Sequence, residues 1–191
     1  MSILDGKDID EIIKIMKNEF KDLTDKDVID GLDILNNENL IEETEDIDKY
    51  NINERYLPNV NYFSRFTDYD KSPYEIQEKI NNSTILLLGL GGGGSNILTM
   101  LSGLGPKKIK IVDYDKVELS NLGRQLLFKE SDIGKLKVDV ALEAIKQMNF
   151  LIEVEGYNKK IEKIEDVLEL TDSVDLVICV IDEPHLLRKK L

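Results

Sequence analysis

A carboxylate at Asp113, an amide at Asn121, a guanidinium at Arg124, an amide at Gln125 and an ammonium at Lys137 follow one another within 25 residues. Upstream lies the run Gly89-Leu90-Gly91-Gly92-Gly93-Gly94, and downstream a further carboxylate, Asp182. Glycines let a backbone pass close to a phosphate, and a carboxylate about 20 residues further on can accept hydrogen bonds from a ribose hydroxyl. That pair alone suits any nucleotide, a nicotinamide dinucleotide included. An oxidoreductase has no use for an Asn, an Arg and a Lys gathered just beyond its ribose carboxylate. The charge of a triphosphate does.

The apolar pattern says what positions these groups. Thr84-Ile85-Leu86-Leu87-Leu88 reads as a strand, and Ser95 to Leu104 carries Ile97, Leu98, Leu101 and Leu104 on one helical face. A second strand, Ile109 to Val112, ends on Asp113. The glycines thus sit at the first turn of a βαβ unit, where a helix N-terminus offers unpaired N–H groups to an anion. Further on, Lys135 to Met148 reads as a helix, with Val138, Ala141, Leu142, Ile145 and Met148 facing inward. Leu151 to Tyr157 is a third strand, and Ile161 to Leu170 a third helix. The largely apolar run Val174 to Val180 reads as a central parallel strand covered on both faces. Four β–α repeats in series predict an α/β fold, a Rossmann-like open parallel sheet with right-handed crossovers. Gly89, Gly91, Gly92, Gly94, Asp113 and Asp182 all fall just past the carboxyl ends of strands, where ligands of such sheets bind.

These pieces together resemble the ThiF/MoeB/HesA family, the adenylating fold shared with ubiquitin-activating enzymes. The matching motifs are G-x-G-G-x-G at Gly89 to Gly94, Asp113, N-L-x-R-Q at Asn121 to Gln125, D-I-G-K-x-K at Asp132 to Lys137, and Asp182 after an apolar strand. The resemblance covers roughly Arg55 to the C-terminus. It implies ATP and Mg²⁺ as cofactors and activation of a carboxylate as an acyl-adenylate. It also assigns roles: Asp113 to the ribose, Arg124 and Lys137 to the phosphate charge, Asn121 and Gln125 to the polar lining, and Asp182 to Mg²⁺. Family members usually read R-Y-x-R-Q or R-Y-x-R-N near the start, the second Arg reaching across a dimer to the partner's ATP. Here that position is Pro58, so Arg55 and Arg65 are both candidates.

The substrate implied is the carboxy-terminus of a peptide or of a ubiquitin-like or sulfur-carrier protein, with a homodimer or a complementing chain as partner. Members run on past the Asp182 region into strands that hold the acceptor carboxyl group. The 191 residues are therefore expected to be incomplete at the C-terminus, as a fragment, a truncated product or one half of a complemented pair. A non-catalytic, peptide-binding subunit that keeps the fold is the alternative function. A nicotinamide oxidoreductase is the third. Structural explanations also exist for each residue: a tight turn for the glycines, caps for Asp113 and Asp182, solvated surface charge for Arg124 and Lys137.

The rest of the chain narrows the class. Hydrophobic residues make up 41%, enough for a packed core. A single cysteine, Cys179, excludes a disulfide framework and a tetra-cysteine zinc site within these residues, and its apolar setting suggests packing rather than a catalytic thiol. His185, the sole histidine, has no motif around it. No signal peptide or membrane-spanning run is visible, so a cytoplasmic protein is expected. The net charge of −13 opposes binding to nucleic acid or an anionic membrane.

That charge is uneven. Residues 1–50 hold 16 Asp plus Glu against 6 Lys plus Arg. They form an acidic module (1–45) with two helices. The first is marked by Ile9, Ile12, Ile13, Met16 and Phe20. The second is capped by Thr24 with Asp27 and striped by Val28, Leu32 and Leu35. Leu40-Ile41 is expected to begin a short strand. Helix, helix, turn, strand resembles part of a winged-helix unit, in particular the leader-recognition domain of enzymes that modify ribosomally made peptides. A plain helical cap is the alternative, and DNA recognition a poor third. A linker and crossing segment (46–72) leads to the ATP-binding domain (73–191), whose first helix starts at Pro73.

Overall fold

A computed structural model of the chain describes residues 6–38, 40–41, 49–67 and 72–182. The chain divides into two compact units, residues 1–76 and 77–191.

In the first unit, α1 (Ile9–Glu19) starts where the Asp8 side chain accepts from the Glu11 amide. Helix α2 (Asp25–Asn37) opens on the expected reciprocal cap: the Asp27 amide donates to Thr24 Oγ1 at 3.2 Å, and the Thr24 amide to Asp27 Oδ2 at 2.8 Å. The Thr24 hydroxyl, which donates to Asp27 Oδ2 at 2.6 Å, and after it the Thr24 amide lower the Asp27 carboxyl from its ordinary pKa. Ile12 and Val28 are the buried residues of the two helices. The expected strand at Leu40–Ile41 is not formed. The Leu40 amide is spent on the Leu35 carbonyl at 2.8 Å, closing the end of α2, and the side chain is exposed. The acidic segment 42–48 lies outside the described residues, as does His185. A 3-10 turn (Glu54–Tyr56) then leads into α3 (Leu57–Phe63), with Pro58 in its first turn, where a missing N–H costs nothing. Tyr50, Val60 and Tyr74 form a small apolar cluster, the two tyrosine rings stacked at 6.4 Å.

In the second unit four parallel strands lie in the order β3-β2-β1-β4, where β1 is Thr84–Leu88, β2 Lys108–Val112, β3 Glu153–Tyr157 and β4 Leu176–Cys179. Helix α4 (Pro73–Asn81) precedes the sheet, α5 (Gly92–Leu104) joins β1 to β2, α6 (Lys137–Met148) joins β2 to β3, and α7 (Ile164–Leu168) joins β3 to β4. The period-2 alternation of β1 splits its residues between two cores. Ile85 and Leu87 pack with Leu98, Leu101, Ala141 and Ile145 on the side of α5 and α6. Leu86 and Leu88 pack with Ile161, Val167 and Leu170 on the other. On that second face Lys110 reaches out of β2 to the carbonyls of Leu170 and Asp172, neutralising the end of α7. Close packing leaves Gly156 of β3 no room for a side chain, since a Cβ there would lie 2.2 Å from Val138 Cγ1.

Two expectations fail here. Val174 to Val180 is not covered on both faces as expected: among the described strands β4 pairs with β1 alone, and Leu176 is 51% exposed. It is also shorter, because Asp175 breaks the apolar run and turns its carboxylate back to the Thr84 amide at 2.7 Å. Cys179 is accordingly half-buried and free. Second, α6 begins at Lys137 instead of Lys135, because Leu136 pairs antiparallel with Lys116 before the helix starts.

Candidate functional site

The glycine run forms the turn between β1 and α5. Gly89 takes a φ of +97°, a left-handed value that favours glycine, and Gly91 caps α5 with no side chain closing its first turn. The first amides of α5 therefore have no side-chain cap. Gly94 is required for a different reason. A Cβ there would lie 1.9 Å from the Gly89 carbonyl oxygen, so α5 can approach the strand end only as glycine. Beside the loop, the Arg124 stem runs past Gly92, its Cδ 3.5 Å from where a Cβ would be. Its Nη1 donates to the Ser120 carbonyl at 3.0 Å.

Asp113 follows β2 and is buried. Its Oδ2 accepts from the Leu90 amide at 2.6 Å, and its Oδ1 from the Asp115 amide at 2.8 Å. The ribose candidate is thus also the group that holds the glycine loop in place. Asn121 and Gln125 are both buried. Asn121 Oδ1 accepts from the Glu118 amide at 3.1 Å, and Gln125 Oε1 has no partner among the described residues.

Lys137 is the chief surprise. It is only 4% exposed, so the solvated-surface explanation for it is wrong. Its Nζ donates to Asp115 Oδ2 at 3.0 Å, and its backbone amide to the Asp115 carbonyl at 3.0 Å. Arg124, by contrast, is exposed. Asp115 went unnoticed in the sequence. The signals were its spacing of two from Asp113 and the place of Lys137 four residues before Ala141 on the inward stripe of α6.

The loop that delivers Lys137 is stapled by Asp132, which accepts from Lys135 Nζ at 2.9 Å and from the Lys129 amide at 3.0 Å. The Lys135 ammonium holds this carboxyl below its ordinary pKa, against the opposite push of burial. Gly134 then turns with a φ of +87° and donates its amide to the Val117 carbonyl. A depressed folded pKa means the stabilisation is present above the unfolded value and lost as pH falls through the folded one. Asp132→Ala should cost about 1 kcal/mol at pH 7. The deficit should shrink from about pH 4 downward, checked by urea unfolding of both proteins across that range.

Asp182 is exposed and follows the strand end that touches the glycines. Val180 Cγ2 and Ile181 Cγ2 each lie 3.0 Å from the Cβ positions of Gly94 and Gly89 respectively. The second unit therefore gathers the glycines, Asp113, Asn121, Arg124, Gln125, Lys137 and the segment leading to Asp182. Arg55 and Arg65 lie in the first unit, both exposed, Arg55 in the 3-10 turn and Arg65 just after α3. Among the described residues no helix is long and apolar enough to cross a membrane.

Residues 57–190 match the family model described as the ThiF family. The chain is 38% identical over 108 residues to the adenylyltransferase and sulfurtransferase UBA4 of Lodderomyces elongisporus, covering 56% of this chain and 24% of the relative. It is 35% identical over 104 residues to the sulfur carrier protein adenylyltransferase of Thermus thermophilus, covering 54% of this chain and 38% of the relative. Among solved structures it is similar to E. coli MccB with ATP, at 25% identity and a TM-score of 0.79, over 96% of this chain and 51% of that one. A complex of MccB with MccA-N7isoASN matches at 27% identity and a TM-score of 0.76, over 88% and 47%. The chain thus spans about half the length of MccB and less than two-fifths of these curated relatives.

Proposed function

The chain belongs to the ThiF family, and from that premise we propose that it binds ATP and activates the C-terminal carboxylate of a peptide as an acyl-adenylate. The observation that carries this reading is the buried ammonium of Lys137 on the Asp115 carboxylate, whose own amide donates to Asp113, at the carboxyl end of the sheet. A dinucleotide's linked phosphates need no such cation, whereas a triphosphate about to lose pyrophosphate does. The open space beside Gly91, where a Cβ would meet nothing within 4 Å, fits a phosphate chain passing close to the backbone.

In the proposed reaction the carboxylate oxygen bonds to the α-phosphorus, and the bond from that phosphorus to pyrophosphate breaks. A peptide C-terminus has a pKa of about 3.5, so it is ionised at neutral pH and no general base is needed. The work is charge neutralisation and positioning. Asp113 would hold the ribose, the amides of α5 and the Arg124 and Lys137 cations the phosphates, and Asn121 and Gln125 the lining. Among the described residues no group of three or more could hold a metal by itself. Mg²⁺ would therefore arrive on the triphosphate, with Asp182 as its protein carboxylate. In a dimer or with a complementing chain, Arg55 or Arg65 would reach the phosphates of the partner's nucleotide.

A peptide is favoured over a sulfur-carrier protein as substrate because the similarity to MccB extends over 96% of the chain, which takes in the acidic N-terminal helices. The curated relatives match little more than half of it. Calorimetry with ATP and with NAD, each with and without Mg²⁺, is the test. ATP should bind at least about tenfold more tightly, a difference of about 1.4 kcal/mol. Tighter binding of NAD would remove the adenylation reading.

A further inference from the structure

We infer that Asp115 is a positioning residue that holds the Lys137 ammonium in register with the nucleotide phosphates and ties it to Asp113. The inference rests on the ATP-site reading above. Three contacts converge on this one residue. Its amide donates to Asp113 Oδ1 at 2.8 Å. Its carbonyl accepts the Lys137 amide at 3.0 Å, and its Oδ2 accepts Lys137 Nζ at 3.0 Å. The start of α6 is therefore docked on Asp115 by both backbone and side chain. The antiparallel bridge of Lys116 with Leu136 and the bond from the Val117 amide to the Lys135 carbonyl extend the same seam.

The exposures of the pair are lopsided, which gives the contact its direction. The Lys137 side chain is 5% exposed and that of Asp115 46%. Water can solvate the carboxylate without its partner, but the ammonium has no comparable refuge. Asp115 is its hydrogen-bond partner among the described residues, and an ammonium carries three N–H groups, so two remain to meet an incoming anion. A lysine stem has four flexible carbons, so a fixed acceptor at one N–H is what turns a mobile charge into a directed one. Removing the acceptor lets the ammonium swing, and its charge is then no longer presented to the phosphates.

The test is a double-variant cycle read by calorimetry, with ATP and adenosine as the two probes. Asp115→Asn keeps the residue's backbone bonds and its size but replaces the charged acceptor with a weaker neutral amide that also turns N–H groups toward the ammonium, so the fold should survive, which the melting temperature checks. ATP binding should weaken about tenfold in Asp115→Asn and in Lys137→Ala, and the double variant should be no weaker than Lys137→Ala alone. Adenosine, which carries no phosphate, should bind all four proteins alike within about twofold. Several results overturn the inference: losses that multiply in the double variant, a parallel loss of adenosine binding, or ATP binding that is unchanged or tighter in Asp115→Asn. If wild-type protein binds neither probe, or binds ATP regardless of Lys137, the ATP-site reading falls and takes this inference with it. If Lys137→Ala weakens ATP binding and Asp115→Asn does not, the inference alone falls.

Discussion

Gly94→Ala should lower the melting temperature by about 6–12 °C and abolish measurable ATP binding. The added Cβ would lie 1.9 Å from the Gly89 carbonyl oxygen and 2.8 Å from its carbonyl carbon. Both are backbone atoms, so no rotamer change relieves the contact. Helix α5 must slide off the end of β1, or the loop must reshape. Either outcome forfeits packing at Leu98 and Leu101 and breaks the bond from the Leu90 amide to Asp113. Overpacking of this kind costs about 3 kcal/mol or more, and each kcal/mol shifts the transition of a domain of this size by about 2–4 °C. Gly93→Ala is the control, because the nearest atom to its Cβ position is Val180 Cγ1 at 4.0 Å. It should be neutral or stabilise α5 by up to about 1 kcal/mol. Circular dichroism melts and calorimetry of both variants suffice. A Gly94→Ala protein that melts within about 2 °C of wild type and binds ATP would show that the loop is more pliable than its geometry implies.

Lys137→Ala should lower adenylate formation by a factor on the order of 10²–10³, about 3–4 kcal/mol, the usual cost of losing one preorganised group that meets charge in the transition state. The helix should remain. Alanine is a better helix former than lysine, and the bond from the residue 137 amide to the Asp115 carbonyl belongs to the backbone. The abandoned carboxylate is half exposed and finds water. Turnover is measured as pyrophosphate release with the cognate peptide, in the full-length protein or with a complementing chain, and melting is followed alongside. Turnover within about twofold of wild type, with normal folding, would mean that Lys137 is a structural counter-ion to Asp115 and nothing more.

What could be read ahead of the structure divides along physical lines. Strand β1, helix α5 and strand β2 were visible because Leu86 to Leu88 and the Ile97–Leu104 stripe obey the periods of a strand and a helix. The glycines and Asp113 were visible because their spacing is fixed by one β–α–β passage. The place of β4 was not, since strand order depends on pairings between distant segments and leaves no local period. Its apolar residues look the same in the centre of a sheet as at the edge. The pairing of Asp115 with Lys137 was hidden for the same reason: 22 residues separate the partners, and a lysine at the start of a helix normally reads as solvated.

The closure of the glycine turn also has a history in time. Strand β1 meets the parallel β2 across a single crossover through α5, but its pairing with β4 joins segments far apart in the chain, the Thr84 amide finding Asp175, 91 residues away. Pairings that close long loops form late, because the chain entropy of the closure must be spent before any contact rewards it. Val180 and Ile181, which press on Gly94 and Gly89, come with that last strand. The neighbours of the glycine turn are therefore complete only once β4 has paired with β1. On the ribosome, the chain has to emerge beyond Ile181 before its glycines, made some 90 residues earlier, acquire the neighbours that shape them.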